Sequence, residues 1–103
     1  MIDLITQKRE KIAEHCRRLN VRRLDIFGSA AMGTFNPETS DLDFLVEFTD
    51  SDRPGILKRY LDLAESLEAL FDRKVDLVTV AASHKKPRFR ANVEASKELV
   101  YAP

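Results

Sequence analysis

One cysteine in 103 residues excludes an internal disulfide. The lone thiol, Cys16, fits a reducing cytosol, so a cytoplasmic protein is expected. Positive charge is not in excess either. Seventeen Lys and Arg residues balance 17 Asp and Glu residues, and the chain as a whole lacks the basic surface that nucleic-acid binding usually needs. No apolar run approaches the roughly 20 residues that cross a bilayer, and the start carries no signal-peptide-like stretch. Repeats and low-complexity tracts are missing too. The two histidines, His15 and His84, form no cluster with Cys16, which removes the usual zinc and Cys–His nucleophile patterns. His15 and Cys16 read as partly buried residues of a helix, and His84 as a solvated loop residue.

What remains is an ordinary globular composition, 44% apolar and 33% charged. It suits a single domain over residues 1–103 with one modest core. Asp3 is a candidate N-cap for a helix over residues 4–19, whose apolar positions Ile5, Ile12, Ala13, Cys16 and Leu19 recur at helical spacing. Asn20 stops it. Leu24, Ile26 and Phe27 form a short strand ending at Gly28, and Asn36–Pro37 marks a turn in the loop that follows. A second strand runs from Leu42 to Phe48, with its aspartates on one face and Leu45 or Val46 on the other.

Residues 50–54 start a helix, with Pro54 suited to its first turn. Leu57, Tyr60, Leu61, Ala64, Leu67 and Phe71 make its apolar stripe, read as core or in part a dimer face. Lys74–Val80 is a third strand, Pro87 opens a last helix to about Ser96, and Leu99–Tyr101 closes with a strand. The order implies an α/β sandwich, a small mixed sheet flanked by helices.

The chemistry concentrates in two places. Gly28-Ser29, at the end of the first strand, offers backbone that can approach a phosphate. Asp41 and Asp43 share a strand face because alternate side chains point the same way. Asp76 interrupts the third strand between Val75 and Leu77, and an aspartate in such a run is costly to bury unless paired or ligated. If the third strand lies beside the second, Asp76 joins the pair. Carboxylates about 4 Å apart repel by roughly 4 kcal/mol at an effective dielectric near 20, so the cluster calls for protonation, a basic partner or a cation. An all-oxygen donor set favours magnesium over zinc. Glu47 is a possible fourth acid in a position that more often faces solvent, and Ser40 either orients Asp41 or caps the strand. Lys85, Lys86, Arg88 and Arg90, like Arg22 and Arg23, read as solvated charge or as contacts for a triphosphate or an acidic partner.

Gly28-Ser29, eleven residues, then Asp41-Leu42-Asp43, with Asp76 in a later strand, resembles the polymerase beta nucleotidyltransferase superfamily. The small size, the Val75–Thr79 strand and the ending around Lys86-Pro87-Arg88 look most like its minimal nucleotidyltransferases, many of which are antitoxins of HEPN-family ribonuclease toxins. The resemblance covers nearly the whole chain. It implies a polymerase beta-like fold and transfer of AMP from ATP to a hydroxyl with two Mg2+ ions. Asp41, Asp43 and Asp76 would be the catalytic and metal-binding residues. Gly28 and Ser29 would bind the phosphates, and Asp41 and Asp43 would reach the nucleotide through the metal. The family often carries arginines after Gly-Ser, where this chain has Ala30, Ala31 and Met32.

No segment is left to hold a second substrate. The acceptor is therefore expected on a partner, which by resemblance is a tyrosine of a HEPN toxin. Two other readings stand beside this one: an antitoxin that neutralises by binding alone, and a homodimeric small-molecule nucleotidyltransferase with its acceptor pocket at the subunit seam.

Overall fold

Short runs rich in apolar residues build a four-stranded sheet. In the computed structural model, which describes residues 2–36, 38, 40–50 and 52–103, its strands are β1 (Val21–Phe27), β2 (Leu42–Phe48), β3 (Val75–Thr79) and β4 (Glu98–Tyr101). They lie in the order β3-β2-β1-β4. β1 is antiparallel to both β2 and β4, and β2 and β3 run parallel. A parallel pair needs a crossover, supplied here by the long helix α4 (Ile56–Phe71).

The sheet separates two apolar clusters. Leu42, Phe44 and Val46 of β2 face one side, with Leu24 and Ile26 of β1 and Val75 and Leu77 of β3. There they meet Ile5 of α1 (Asp3–Gln7), Ile12 and Cys16 of α2 (Arg9–Arg18), and Leu63, Leu67 and Phe71 of α4. Burying each such side chain contributes about 1.5–3 kcal/mol. The other face carries a smaller cluster of Phe27, Leu45 and Val93, with Val78, Val80 and Phe89 packed on it. Its cover comes from α5 (Val80–Ser83) and α6 (Pro87–Ser96).

Several expectations need correcting. The first helix is two, because the chain turns at Lys8 between α1 and α2, and the N-cap position belongs to Ile2 rather than Asp3. β1 starts at Val21, three residues before the expected strand. The helix α3 (Ser29–Met32) lies in what the sequence presented as loop, as does α5. Pro54 precedes α4, whose N-cap is Gly55 at φ +93°. Leu57 and Leu61 are 67% and 49% exposed and drop out of the α4 stripe; Leu67 and Phe71 are buried as expected, Tyr60 and Ala64 pack on the core, and Leu63 joins them. Of the two alternatives on β2, Val46 is the residue opposite the aspartates, and Leu45 shares their face. Pro37, of the expected turn, and Ser51, of the expected helix start, lie outside the described residues.

Polar anchors help to hold the layers in place. Arg59 of α4 donates to the carbonyls of Leu19, Asn20 and Thr49 at 2.8–2.9 Å and lies over the Phe48 ring. Tyr60 donates its hydroxyl to the Leu77 carbonyl, tying α4 to β3 one residue from Asp76.

Candidate active site

The parallel pairing sets the site. Asp43 on β2 stands opposite Asp76 on β3 in the strand register, flanked by the pairs Leu42–Val75 and Phe44–Leu77. Because Leu42, Phe44, Val75 and Leu77 all point into the larger core, the pleat turns both aspartates to the other face. Asp43 is partly buried, and Asp76, on the edge strand, is exposed. Burial therefore does not account for Asp76, as the sequence had suggested; its closeness to Asp43 does. Asp41 is exposed just before β2.

These charges act on Asp43 together. Partial burial, the Asp76 charge, a hydrogen bond shared with Asp76, and the Asp41 charge raise its carboxyl from 3.8 to about 6. Among the described residues no three acidic, His or Cys side chains already converge on one ligand point. The assembled part is the Asp43–Asp76 pair, with Asp41 adding charge from the approach to β2. A hard divalent cation fits this donor set. Its donors are carboxylate oxygens, and a carboxyl that holds its proton because of like charges gains from any cation that takes the proton's place.

The Gly-Ser turn abuts the pair. Gly28 sits at φ +70°, a conformation that favours glycine, and a Cβ there would lie 2.5 Å from Asp43 Oδ2. Any larger residue would be strained here and would have to displace the Asp43 carboxylate. α3 closes its turn on the Gly28 carbonyl, which accepts from the Ala31 and Met32 amides at 3.1 and 3.0 Å. The Gly28 N–H donates to Ser96 Oγ at 3.4 Å, so this amide is directed at α6 and Ser29 opens the turn.

Other candidates lie elsewhere. Glu47 shares the face of Asp43 but stands two pleats along β2, 3.8 Å from Arg22. Arg23 is engaged with buried Asp25, donating to both its carboxylate oxygens at 3.0–3.2 Å. The buried Asp25 was not read from the sequence as a feature, although an aspartate between Leu24 and Ile26 in a strand was the available signal. Lys85, Lys86, Arg88 and Arg90 are all exposed around the start of α6. Cys16 is fully buried, and burial pushes its thiol up to about 12, so it is no nucleophile. A concavity of about 450 Å3 involving Glu47 and His84 lies at the far end of β2, away from the aspartate pair. No described helix is long and apolar enough to cross a membrane.

Comparison with known proteins finds relatives along nearly the whole chain. A family model described as a nucleotidyltransferase domain matches residues 9–100. A Methanocaldococcus jannaschii protein assigned as a protein adenylyltransferase is 35% identical over 97 residues, covering 94% of this chain and 90% of that one. Protein adenylyltransferase MntA of Thermococcus cleftensis is 39% identical over 75 residues, covering 73% of this chain and 69% of that one. A solved structure assigned as a minimal nucleotidyltransferase superposes with a TM-score of 0.71 at 33% identity, covering 94% of this chain and 95% of that one. A complex of a tri-AMPylated Shewanella oneidensis HEPN toxin with an MNT antitoxin contains a chain sharing the fold. Its TM-score is 0.66 at 19% identity, covering 96% of this chain and 73% of that one.

Proposed function

The chain belongs to the nucleotidyltransferase domain family and is a nucleotidyltransferase, and from that premise we propose that it transfers AMP from ATP to a tyrosine hydroxyl of a HEPN-family toxin. The observation that carries this is the register of Asp43 against Asp76 beside a glycine turn held close against Asp43. The names of its relatives supply adenylyl transfer to protein, and the solved complex supplies the toxin.

Asp41, Asp43 and Asp76 would hold magnesium, which when bound neutralises charge on the triphosphate and lowers the pKa of the attacking hydroxyl. Ser29, at the start of α3, is assigned to the β- and γ-phosphates, beyond the bond that breaks. Gly28 keeps the turn close to Asp43. The tyrosine oxygen attacks the α-phosphorus; a P–O bond forms there, the bond to the β-phosphate bridging oxygen breaks, and pyrophosphate leaves. Asp76, exposed on the edge strand, would take the hydroxyl proton, since an acceptor carried on another protein can approach from that open side. Half-buried Asp43 holds and orients the reacting groups.

The test uses the purified protein with a HEPN-family toxin, labelled ATP and magnesium. Label is expected on a toxin tyrosine and lost with Asp43→Ala. No transfer, or transfer that survives Asp43→Ala, refutes the proposal. One feature favours a second reading, neutralisation by binding alone: Ala30, Ala31 and Met32 provide no cation beside the phosphate turn. Full toxin rescue by the Asp41→Asn, Asp43→Asn double variant supports that reading over catalysis.

A further inference from the structure

A cleft of about 480 Å3 opens between α3 and α6, walled in part by Gly28, which abuts Asp43. Its size falls within the roughly 300–1,000 Å3 of small-molecule sites. We propose that this cleft seats the adenine ring of the nucleotide and that Asn92 reads it, an inference that rests on the nucleotidyl-transfer reading above.

Its location is the first argument. Gly28 belongs both to the wall of the cleft and to the surface against Asp43. A ligand whose phosphates lie at Asp43 and the Gly28 turn therefore passes directly into it. β2 lies between β1 and β3, so the cleft, at the end of β1, and the exposed Asp76, on β3, flank Asp43 from opposite sides. The nucleotide and the acceptor hydroxyl thus approach along separate routes.

Chemistry is the second argument. Among the described residues no charged side chain lines the cleft, which makes it unsuitable for phosphate and suitable for a neutral planar ring. Phe89 is held edge-to-face on Phe27, with ring centroids 5.7 Å apart and planes at 87°, and offers an aromatic surface to that ring. Met32 is 67% exposed at the rim, where a flexible thioether adapts to an entering aromatic group. Asn92 is the sole lining residue with a side-chain amide. An amide that both donates and accepts matches the N6 and N7 edge of adenine, whereas guanine presents two acceptors there.

Titration calorimetry in magnesium, with ATP, GTP and inorganic tripolyphosphate as probes, tests the assignment. Asn92→Ala is expected to weaken ATP about tenfold and erase the preference over GTP, leaving tripolyphosphate within about twofold. Ala95→Trp, which fills the cleft from an exposed position of α6, is expected to weaken both nucleotides and spare tripolyphosphate. Unchanged ATP affinity in both variants, or wild-type ATP binding no tighter than tripolyphosphate, overturns the cleft assignment and leaves nucleotidyl transfer standing. Failure of the wild type to bind tripolyphosphate or ATP counts against nucleotidyl transfer itself, and the cleft assignment falls with it.

Discussion

Asp43→Asn should make the protein more stable while removing its activity. Asp43 rises from 3.8 to about 6 because burial and two neighbouring aspartates oppose its charge. At neutral pH without a divalent cation, ionising it costs the folded state at most about 3 kcal/mol. Water reaches this partly exposed group and screens the effect, so about 1 kcal/mol is the expected gain on substitution. In a domain of this size that amounts to about 4–8 °C in melting temperature. The Asn amide also donates to the Asp76 carboxylate, replacing the hydrogen bond that the protonated acid made.

The sign follows from a folded pKa above the unfolded one. The favourable contribution of neutral Asp43 is fully present below 3.8 and is lost as pH rises through about 6. Circular-dichroism melts in EDTA should therefore show the variant ahead near pH 8 and level with the wild type near pH 4. Magnesium at the higher pH should raise the wild type and leave the variant nearly unmoved. A variant that melts at or below the wild type near pH 8 in EDTA, or a gap that persists near pH 4, refutes the reasoning.

Gly28→Ala should cost about 1–3 kcal/mol in thermal denaturation, because alanine is strained at φ +70° and its Cβ would strike Asp43 Oδ2. Adenylyl transfer should fall with it. Arg23→Ala strands the buried Asp25 carboxylate without its guanidinium; about 3 kcal/mol should be lost in urea titration, and Asp25→Asn in the same background should recover much of it. Leu63→Ala, at a fully buried position of α4, should cost about 2–5 kcal/mol. Leu57→Ala, on the exposed side of the same helix, should stay within about 0.5 kcal/mol, and equal losses would contradict the burial pattern.

Strands and the last helix were legible because their signals are local. β2 occupies Leu42–Phe48, and α6 opens at Pro87 and ends at Ser96, as the apolar run and proline placement indicated. The break between α1 and α2 was hidden because Lys8 is a sound helix former; tertiary packing of Ile5 and Ile12 decides it. On α4, Leu57 and Leu61 fit the helical period as well as Leu63 does, and only the sheet's position selects the buried side. Of the candidate site, the aspartates and the Gly-Ser turn were readable. The adjacency of Asp43 and Asp76 was not, because nothing in a linear chain states which strand lies beside which. The close approach of Gly28 to Asp43 and the cleft at Asn92 were likewise invisible, since both join residues far apart in sequence.

The register of β3 on β2 has one more consequence. A slip of one residue would set Val75 or Leu77 opposite Asp43 and turn Asp76 toward the helices of the larger core. What forbids the slip is the seating of Val75 and Leu77 among Leu42, Phe44 and α4. Those oily residues act as gauge blocks: they set the spacing of two acids without touching the chemistry. In so small an enzyme the calibration of the site is stored in its interior, and a core substitution too mild to unfold the chain could still be read out as misaligned carboxylates.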